Sequence, residues 1–384
     1  MEYINTFIDG IGLFKIVEPG GWQCPVMLII SLTLMYLAIA KKCEPFLLVP
    51  LSFGMMIANI PLAGLDAYAA PGTVPGSDVG GLLYYLYQGM KLSIWPPLIF
   101  LCLGAMTDFG PLIARPGSVF IGIGGQVGIF VAFGLAVLFG FTEGQAASIG
   151  IIGSSDGPTT IYTVVRLAPE LMAPVAIAAY SYMALVPIIQ PPIMRLLTTS
   201  KERVIMMPPA KEVTKKQKIL FPIFMTLGTL LLVPAAGPLI AMLMLGNLIK
   251  ECGVVDRFLP TLQQPLLNMF TMLIGISVGA TAIGERFLQP TTLLIICLGL
   301  VAFAFGTAGG VLMAKLLNVI SGGKVNPLIG NSGVSAMPMA ARVSQKLGQQ
   351  YNPHNHLLMH AMGPIVASTL GSALVAGVFI TIFR

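Results

Sequence analysis

Along this chain, apolar runs of roughly 16 to 25 residues alternate with short polar or proline-bearing turns, a spacing that predicts transmembrane helices. Spans are expected at about 25–40, 46–65, 95–112, 118–141, 171–189, 219–233, 236–250, 264–282, 290–317 and 357–382, the fifth stopping at Gln190-Pro191-Pro192. A barrel would instead show short segments of alternating hydrophobicity. Two stretches break the pattern. Ile149-Gly150-Ile151-Ile152-Gly153-Ser154-Ser155-Asp156-Gly157-Pro158 and Ile329-Gly330-Asn331-Ser332-Gly333-Val334-Ser335-Ala336-Met337-Pro338 share the spacing I-G-x-x-G-x-S-x-x-P. Glycine and proline remove helix propensity and leave backbone groups that hydrocarbon cannot satisfy, so each break must be packed in protein or face water. Paired breaks in two halves of a chain point to a midplane ion or substrate site, whereas glycine and serine patches also serve simply to bring helices close. Both readings stay open at this level.

The order of elements, spans then break then closing span, occurs twice. It predicts an all-α polytopic membrane protein of two structural repeats, each with a broken helix or helical hairpin near the bilayer midplane, and inverted if each copy crosses an odd number of times. The expected divisions are an interfacial N-terminal segment at 1–24, a first membrane repeat at 25–198 with its broken element at 145–166, a basic cytoplasmic linker at 199–218, and a second membrane repeat at 219–384 with its broken element at 325–346.

Composition agrees with a membrane protein. Hydrophobic residues make up 56% and charged residues 9%, too little polar surface to coat a soluble globule of 384 residues. The formal net charge of +6 is a loop property. The linker holds Lys201, Arg203, Lys211, Lys215, Lys216 and Lys218 against Glu202 and Glu212, while the loop at 66–82 carries Asp66 and Asp78 and no base. The positive-inside rule then places the linker and Lys41-Lys42 in the cytoplasm and that loop opposite. No nucleic-acid module, Walker loop, nucleophile elbow or dinucleotide fingerprint is present. Five scattered cysteines (Cys24, Cys43, Cys102, Cys252, Cys297) suggest neither a disulfide framework nor a zinc site. Met90-Lys91 has the form of a biotin attachment core, but it lies in a membrane-flanking stretch with no small β-domain around it.

Candidate chemistry collects at the breaks. After Glu285 the chain has no acid, and most earlier acids lie in turns or flanks; Asp156 alone sits between the apolar arms of a break. An ionisable group there costs at least about 2.5–3.5 kcal/mol and marks an ion or proton pathway. With the hydroxyls of Ser154, Ser155, Thr159 and Thr160 and freed carbonyls, it offers the oxygens that a hard cation such as sodium takes. The same carboxylate can also cap the following half-helix, and the two roles are compatible. The second break has Ala336 in place of the acid but offers Asn326, Asn331, Ser332 and Ser335, with Arg342 farther along the arm. Arg342 requires a carboxylate, from a substrate or from Asp156, unless it snorkels to the surface. Tyr182, in the span after the first break, reads by residue type as a packing or interface residue. His356 and His360, at i, i+4, suit a metal on a helix face, yet a third ligand must come from far away.

The segments Gly153-Ser154-Ser155-Asp156-Gly157-Pro158-Thr159, Ala178-Ala179-Tyr180-Ser181-Tyr182-Met183-Ala184-Leu185-Val186-Pro187, Gln190-Pro191-Pro192-Ile193-Met194-Arg195, Gly330-Asn331-Ser332-Gly333-Val334-Ser335-Ala336 and His354-Asn355-His356-Leu357-Leu358-Met359-His360-Ala361-Met362-Gly363-Pro364 carry a resemblance over nearly the whole chain. It resembles the β subunit of the sodium-translocating, biotin-dependent carboxylic acid decarboxylases of the oxaloacetate, methylmalonyl-CoA and glutaconyl-CoA types. The resemblance implies a multi-pass protein in the lipid bilayer of a prokaryotic inner (plasma) membrane. It implies that a biotin-carrier subunit, loaded by a carboxyltransferase subunit, brings carboxybiotin to the cytoplasmic side, where carbon dioxide is released, a proton is consumed and sodium moves outward. A small membrane subunit and a homo-oligomer within the complex are implied too, with biotin on the carrier and not on this chain. The resemblance assigns Asp156 and Asn326 to one sodium-binding region, Tyr182 and Ser335 to a second with a proton-relay role, Gly330 to the functional positions, and Arg342 to the vicinity of the carboxybiotin carboxylate. The chain is short beside oxaloacetate members, which implies the methylmalonyl-CoA or glutaconyl-CoA type. The rival reading is a stand-alone sodium-coupled secondary transporter, exchanging sodium for protons or carboxylates; an intramembrane metalloenzyme on His356 and His360 is a third.

Overall fold

The computed structural model describes residues 12, 16, 21–42, 44–71, 79–209 and 211–383. Most of the expected interfacial segment at 1–24 lies outside these residues, as do Cys43, Pro75, Gly76 and Asp78. Among the described residues the chain is helical, without strands. The principal helices are α1 (Gln23–Ala40), α2 (Pro45–Ala58), α3 (Leu82–Lys91), α4 (Trp95–Met106), α5 (Ser118–Leu138), α6 (Glu143–Gly150), α7 (Gly157–Leu167), α8 (Met172–Leu197), α9 (Lys215–Leu232), α10 (Gly237–Cys252), α11 (Leu267–Thr281), α12 (Pro290–Ile320), α13 (Met339–Tyr351) and α14 (Leu358–Phe383).

Among the described residues, five stretches are long and apolar enough to cross a membrane, or seven if each of two bent pairs is one span. One bent pair is α3 with α4, at 67°. The other is α8, which does not stop at Gln190-Pro191-Pro192 but continues to Leu197 with a 65° bend between Met183 and Leu185. Pro187 cannot donate to the Met183 carbonyl, so the helix kinks there and carries its prolines onward. Helices from the first half of the chain pack on helices from the second, α2 on α11, α4 on α10, and α5 on both α12 and α14. Glycines permit the approach: a Cβ at Gly54 of α2 would lie 2.5 Å from the Ile276 carbonyl oxygen of α11.

Cations gather at one end of this bundle. Lys218 pairs with Asp108 (3.5 Å) and Glu251 (3.9 Å), Lys315 pairs with Glu202 (3.6 Å) and donates to the Leu197 carbonyl (2.9 Å), and Arg115 donates to the Pro208 carbonyl. These contacts tie the linker to the ends of α4, α8, α10 and α12. The positive-inside rule makes this the cytoplasmic end. At the other end Gln145 donates to Glu170 (2.9 Å), Asn59 donates to the Ala282 carbonyl (2.8 Å), and Phe133, Phe379 and Phe383 cluster.

Both breaks double back. The first hairpin starts from a capping box at Thr142 and Gln145, runs inward as α6, turns through a 3-10 segment at Ile151–Ser154 and a left-handed Ser155 (φ 55°), and returns as α7 to the end it left. The second enters at Asn326 beside the linker, runs inward as a 3-10 segment at Pro327–Gly333, and returns as α13 to Tyr351, whose hydroxyl accepts from Arg203 (2.7 Å). The hairpins therefore enter from opposite ends.

Candidate functional site

The hairpin tips meet, with the Ser335 backbone N–H donating to the Ser154 carbonyl at 2.8 Å. Asp156 sits at this junction, 5% exposed, as the N-cap of α7. Its Oδ1 accepts from the Thr159 N–H (3.3 Å) and its Oδ2 from the Ser372 hydroxyl of α14 (3.0 Å). The carboxylate thus caps, as a bland reading expects, yet it has no ion-pair partner among the described residues. A buried charge left without a counter-charge is costly enough that a cation is the natural complement.

Helix α14 runs past both tips and serves them in turn. Four residues before Ser372, the Ser368 hydroxyl accepts from Ser335 Oγ (3.1 Å) and from Gln126 Nε2 of α5 (3.0 Å). A cavity of about 240 Å³ opens over the junction, lined by Asp156, Ser155 and Ser335 at its floor, Tyr180 and Thr369 at its sides, and Glu44 and Thr107 toward the linker end. Among the described residues, no lysine, arginine or histidine lines it. Ser155 Oγ, fully buried, has no hydrogen-bond partner among the described residues. Carboxylate, hydroxyls and tip carbonyls in a pocket free of cations make a donor set suited to a hard monovalent cation.

The other sequence candidates lie elsewhere. Asn326 is fully buried at the linker end of the second hairpin, donating to the Arg203 (3.1 Å) and Ile205 (2.8 Å) carbonyls and accepting from the Leu328 N–H (2.9 Å). Eight residues separate it from the tip, roughly 15 Å at a 3-10 rise. Gly330 is pressed backbone to backbone against Gly310 and Val311 of α12. Asn331 is satisfied within the protein, exchanging bonds with Gln190 (2.8 and 3.0 Å) and donating to the Ala340 carbonyl (2.9 Å). Tyr182 is buried against α12, its hydroxyl donating to the Ile296 carbonyl, and does not line the cavity. Arg342 is exposed in the first turns of α13, without a side-chain hydrogen bond or ion pair among the described residues. It is not paired with Asp156.

The residues that sequence reasoning passed over are Glu44, Gln126, Tyr180, Ser368 and Ser372. Ser368 and Ser372, one turn apart in an apolar span, left a polar stripe in the sequence. Gln126 is the one amide within the apolar run 118–141. From this geometry, Ser335→Ala is expected to raise half-saturating sodium several-fold by removing a floor hydroxyl. Tyr182→Phe is expected to lower stability by about 1 kcal/mol and slow turnover while leaving half-saturating sodium within twofold. Sodium-binding titrations and thermal denaturation of both variants check this pair.

Apolar spans, two opposed hairpins and a buried acid between their tips define an ion-handling membrane protein. The family described as Na+-transporting oxaloacetate decarboxylase beta subunit matches residues 23–383. The chain is 54% identical over 372 residues to methylmalonyl-CoA decarboxylase subunit beta of Propionigenium modestum, covering 93% of this chain and 94% of the relative. It is 49% identical over 372 residues to glutaconyl-CoA decarboxylase subunit beta of Acidaminococcus fermentans (96% of each) and 48% identical over 431 positions to the oxaloacetate decarboxylase beta chain of Klebsiella pneumoniae (99% of each). The chain belongs to this family of sodium-transporting decarboxylase β subunits.

Proposed function

We propose that this chain is the membrane step of a biotin-dependent decarboxylase in which sodium enters from the linker end, binds at Asp156 between the hairpin tips, and leaves at the opposite end. Asp156 carries the reading: it is buried, without a counter-charge, and lines a cavity that holds no base. Carboxybiotin on a carrier subunit supplies the driving reaction; its N–carboxylate bond breaks, carbon dioxide leaves, and the ring nitrogen takes a proton. Ser335, hydrogen-bonded to Ser368 beside the ion site, is the hydroxyl best placed to give up a proton as sodium binds. The anionic carboxylated arm is drawn to the linker end, where a cleft of about 980 Å³ is lined by Arg115, Lys211, Lys218 and Lys324 against Asp108 and Glu212, with His356 and His360 beside them.

Opposed hairpins with a shared I-G-x-x-G-x-S-x-x-P spacing support two inverted repeats on either side of the linker, with the divisions expected from sequence. The complex includes carrier and carboxyltransferase subunits, a small membrane subunit and further copies of this chain. Chain length favours an acyl-CoA as the parent substrate: alignment to the oxaloacetate relative spans 431 positions against 384 residues here, whereas alignments to the two acyl-CoA relatives span 372.

Inverted vesicles bearing the whole complex are expected to take up radioactive sodium when methylmalonyl-CoA or glutaconyl-CoA is added, and avidin should stop the uptake. Sodium flux by the purified chain alone, indifferent to avidin, would favour the stand-alone transporter instead.

A further inference from the structure

The cavity over Asp156 holds a second carboxylate to which neither the resemblance nor the comparisons give a role. Glu44 lines its wall toward the linker end and is half-buried. The residue immediately precedes Pro45, the start of α2, where an acid ordinarily takes up orphan N–H groups; this carboxylate makes no such capping bond. Nor does it form a hydrogen bond or ion pair with any described residue. Its backbone is held at φ 39°, in the left-handed region that costs a non-glycine residue about 1 kcal/mol or more and that tends to persist where function needs it. Packing therefore gives no reason for an acid here.

Two further observations give one. Ser155 Oγ, 1% exposed and without a partner, lines the same cavity, an oxygen left for something the protein does not supply. Burial also pushes the Glu44 carboxyl above the ordinary carboxylate range, and the charge of Arg342, which forms no ion pair among the described residues, pulls it part of the way back.

We propose that Glu44 captures sodium on the wall of the cavity before the ion passes to Asp156. The proposal rests on the sodium-pump reading above. A lone carboxylate on the wall of a low-dielectric cavity concentrates cations and raises their on-rate by about one to three orders of magnitude.

The test uses the purified whole complex, measuring radioactive-sodium binding and sodium titrations of decarboxylation. Glu44→Gln is expected to raise half-saturating sodium about tenfold while turnover at saturating sodium stays within twofold, and Glu44→Asp should recover part of the affinity. In the parent, half-saturating sodium should rise with added choline chloride; in Glu44→Gln that dependence should flatten. Unchanged half-saturation in Glu44→Gln overturns the proposal, as does a turnover loss that Glu44→Asp does not relieve. Asp156→Asn run alongside separates the two levels: if it binds sodium as the parent does, the underlying pump reading fails whatever Glu44 does.

Discussion

Asp156→Asn is expected to cut sodium-dependent decarboxylation by at least about 100-fold at every sodium concentration while the complex still assembles. The substitution is unusually clean. Asparagine caps a helix as well as aspartate does, so its amide oxygen keeps the bond from the Thr159 N–H, while its amide N–H, standing where Oδ2 was, donates to the Ser372 hydroxyl, whose own proton goes to the Thr369 carbonyl (2.9 Å); the charge is lost and the shape kept. Stability should move the other way from activity. Without sodium the parent holds an unneutralised carboxylate away from water, so the asparagine variant should melt at the same temperature or higher in sodium-free buffer. Sodium should then stabilise the parent alone, by about 2.7 kcal/mol at a hundredfold excess over its dissociation constant. Full turnover at saturating sodium, or a sodium-induced melting shift in the variant, would remove Asp156 from the ion site.

The hairpins were legible in sequence as breaks, because glycine, serine and proline inside long apolar runs have few structural explanations. Whether each break crossed or turned back was not legible. That depends on which end of the bundle the flanking residues reach, and the deciding contacts, Gln145 with Glu170 and Asn326 with the linker backbone, join residues whose pairing no local pattern announces. The two readings of the repeated motif turn out to divide it between them. Its glycines serve packing: a Cβ at Gly153 would lie 2.8 Å from the Gly128 backbone of α5, and one at Gly333 would lie 2.6 Å from the Ile121 carbonyl oxygen. Its shared serine, Ser155 in one copy and Ser335 in the other, and its one acid, Asp156, line the cavity.

The limits of reading the site follow from the same distinction. Asp156 stands out by cost alone, since an acid between apolar arms needs a reason. Glu44 does not, because an acid after Lys41-Lys42 and before Pro45 looks like an ordinary helix start; only the absence of its capping bond and its position on the cavity wall set it apart. Asn326 shows the converse. Grouped with Asp156 by the resemblance, it spends its amide on the Arg203 and Ile205 carbonyls and its oxygen on Leu328, which staples the second hairpin to the linker. A residue can matter to an ion site by fixing the arm that carries the tip.

Gly330 makes that point testable. A Cβ there would fall 2.5 Å from the Gly310 carbonyl oxygen and 2.7 Å from the Val311 nitrogen, with the Val311 Cα closer still. Every one of these atoms is backbone, so no side chain can swing aside, and the 3-10 arm must retreat from α12 by about 1 Å to restore ordinary contact. The Ser335 N–H then withdraws from the Ser154 carbonyl, now 2.8 Å away, and the two halves of the cavity floor separate. Gly330→Ala is therefore expected to cost about 1–3 kcal/mol of stability and roughly 100-fold in turnover, since a misplacement of that size is enough to spoil a preorganised site. Gly310→Ala presses on the same contact from the other side and should reproduce both losses. Gly134→Ala, on α5 with no atom near its added methyl, should leave turnover unchanged and stability equal or slightly higher. Melting temperatures and sodium titrations of the three variants decide the matter: a fully active Gly330→Ala, or an inactive Gly330→Ala beside a fully active Gly310→Ala, would mean that Gly330 acts by something other than its fit against α12.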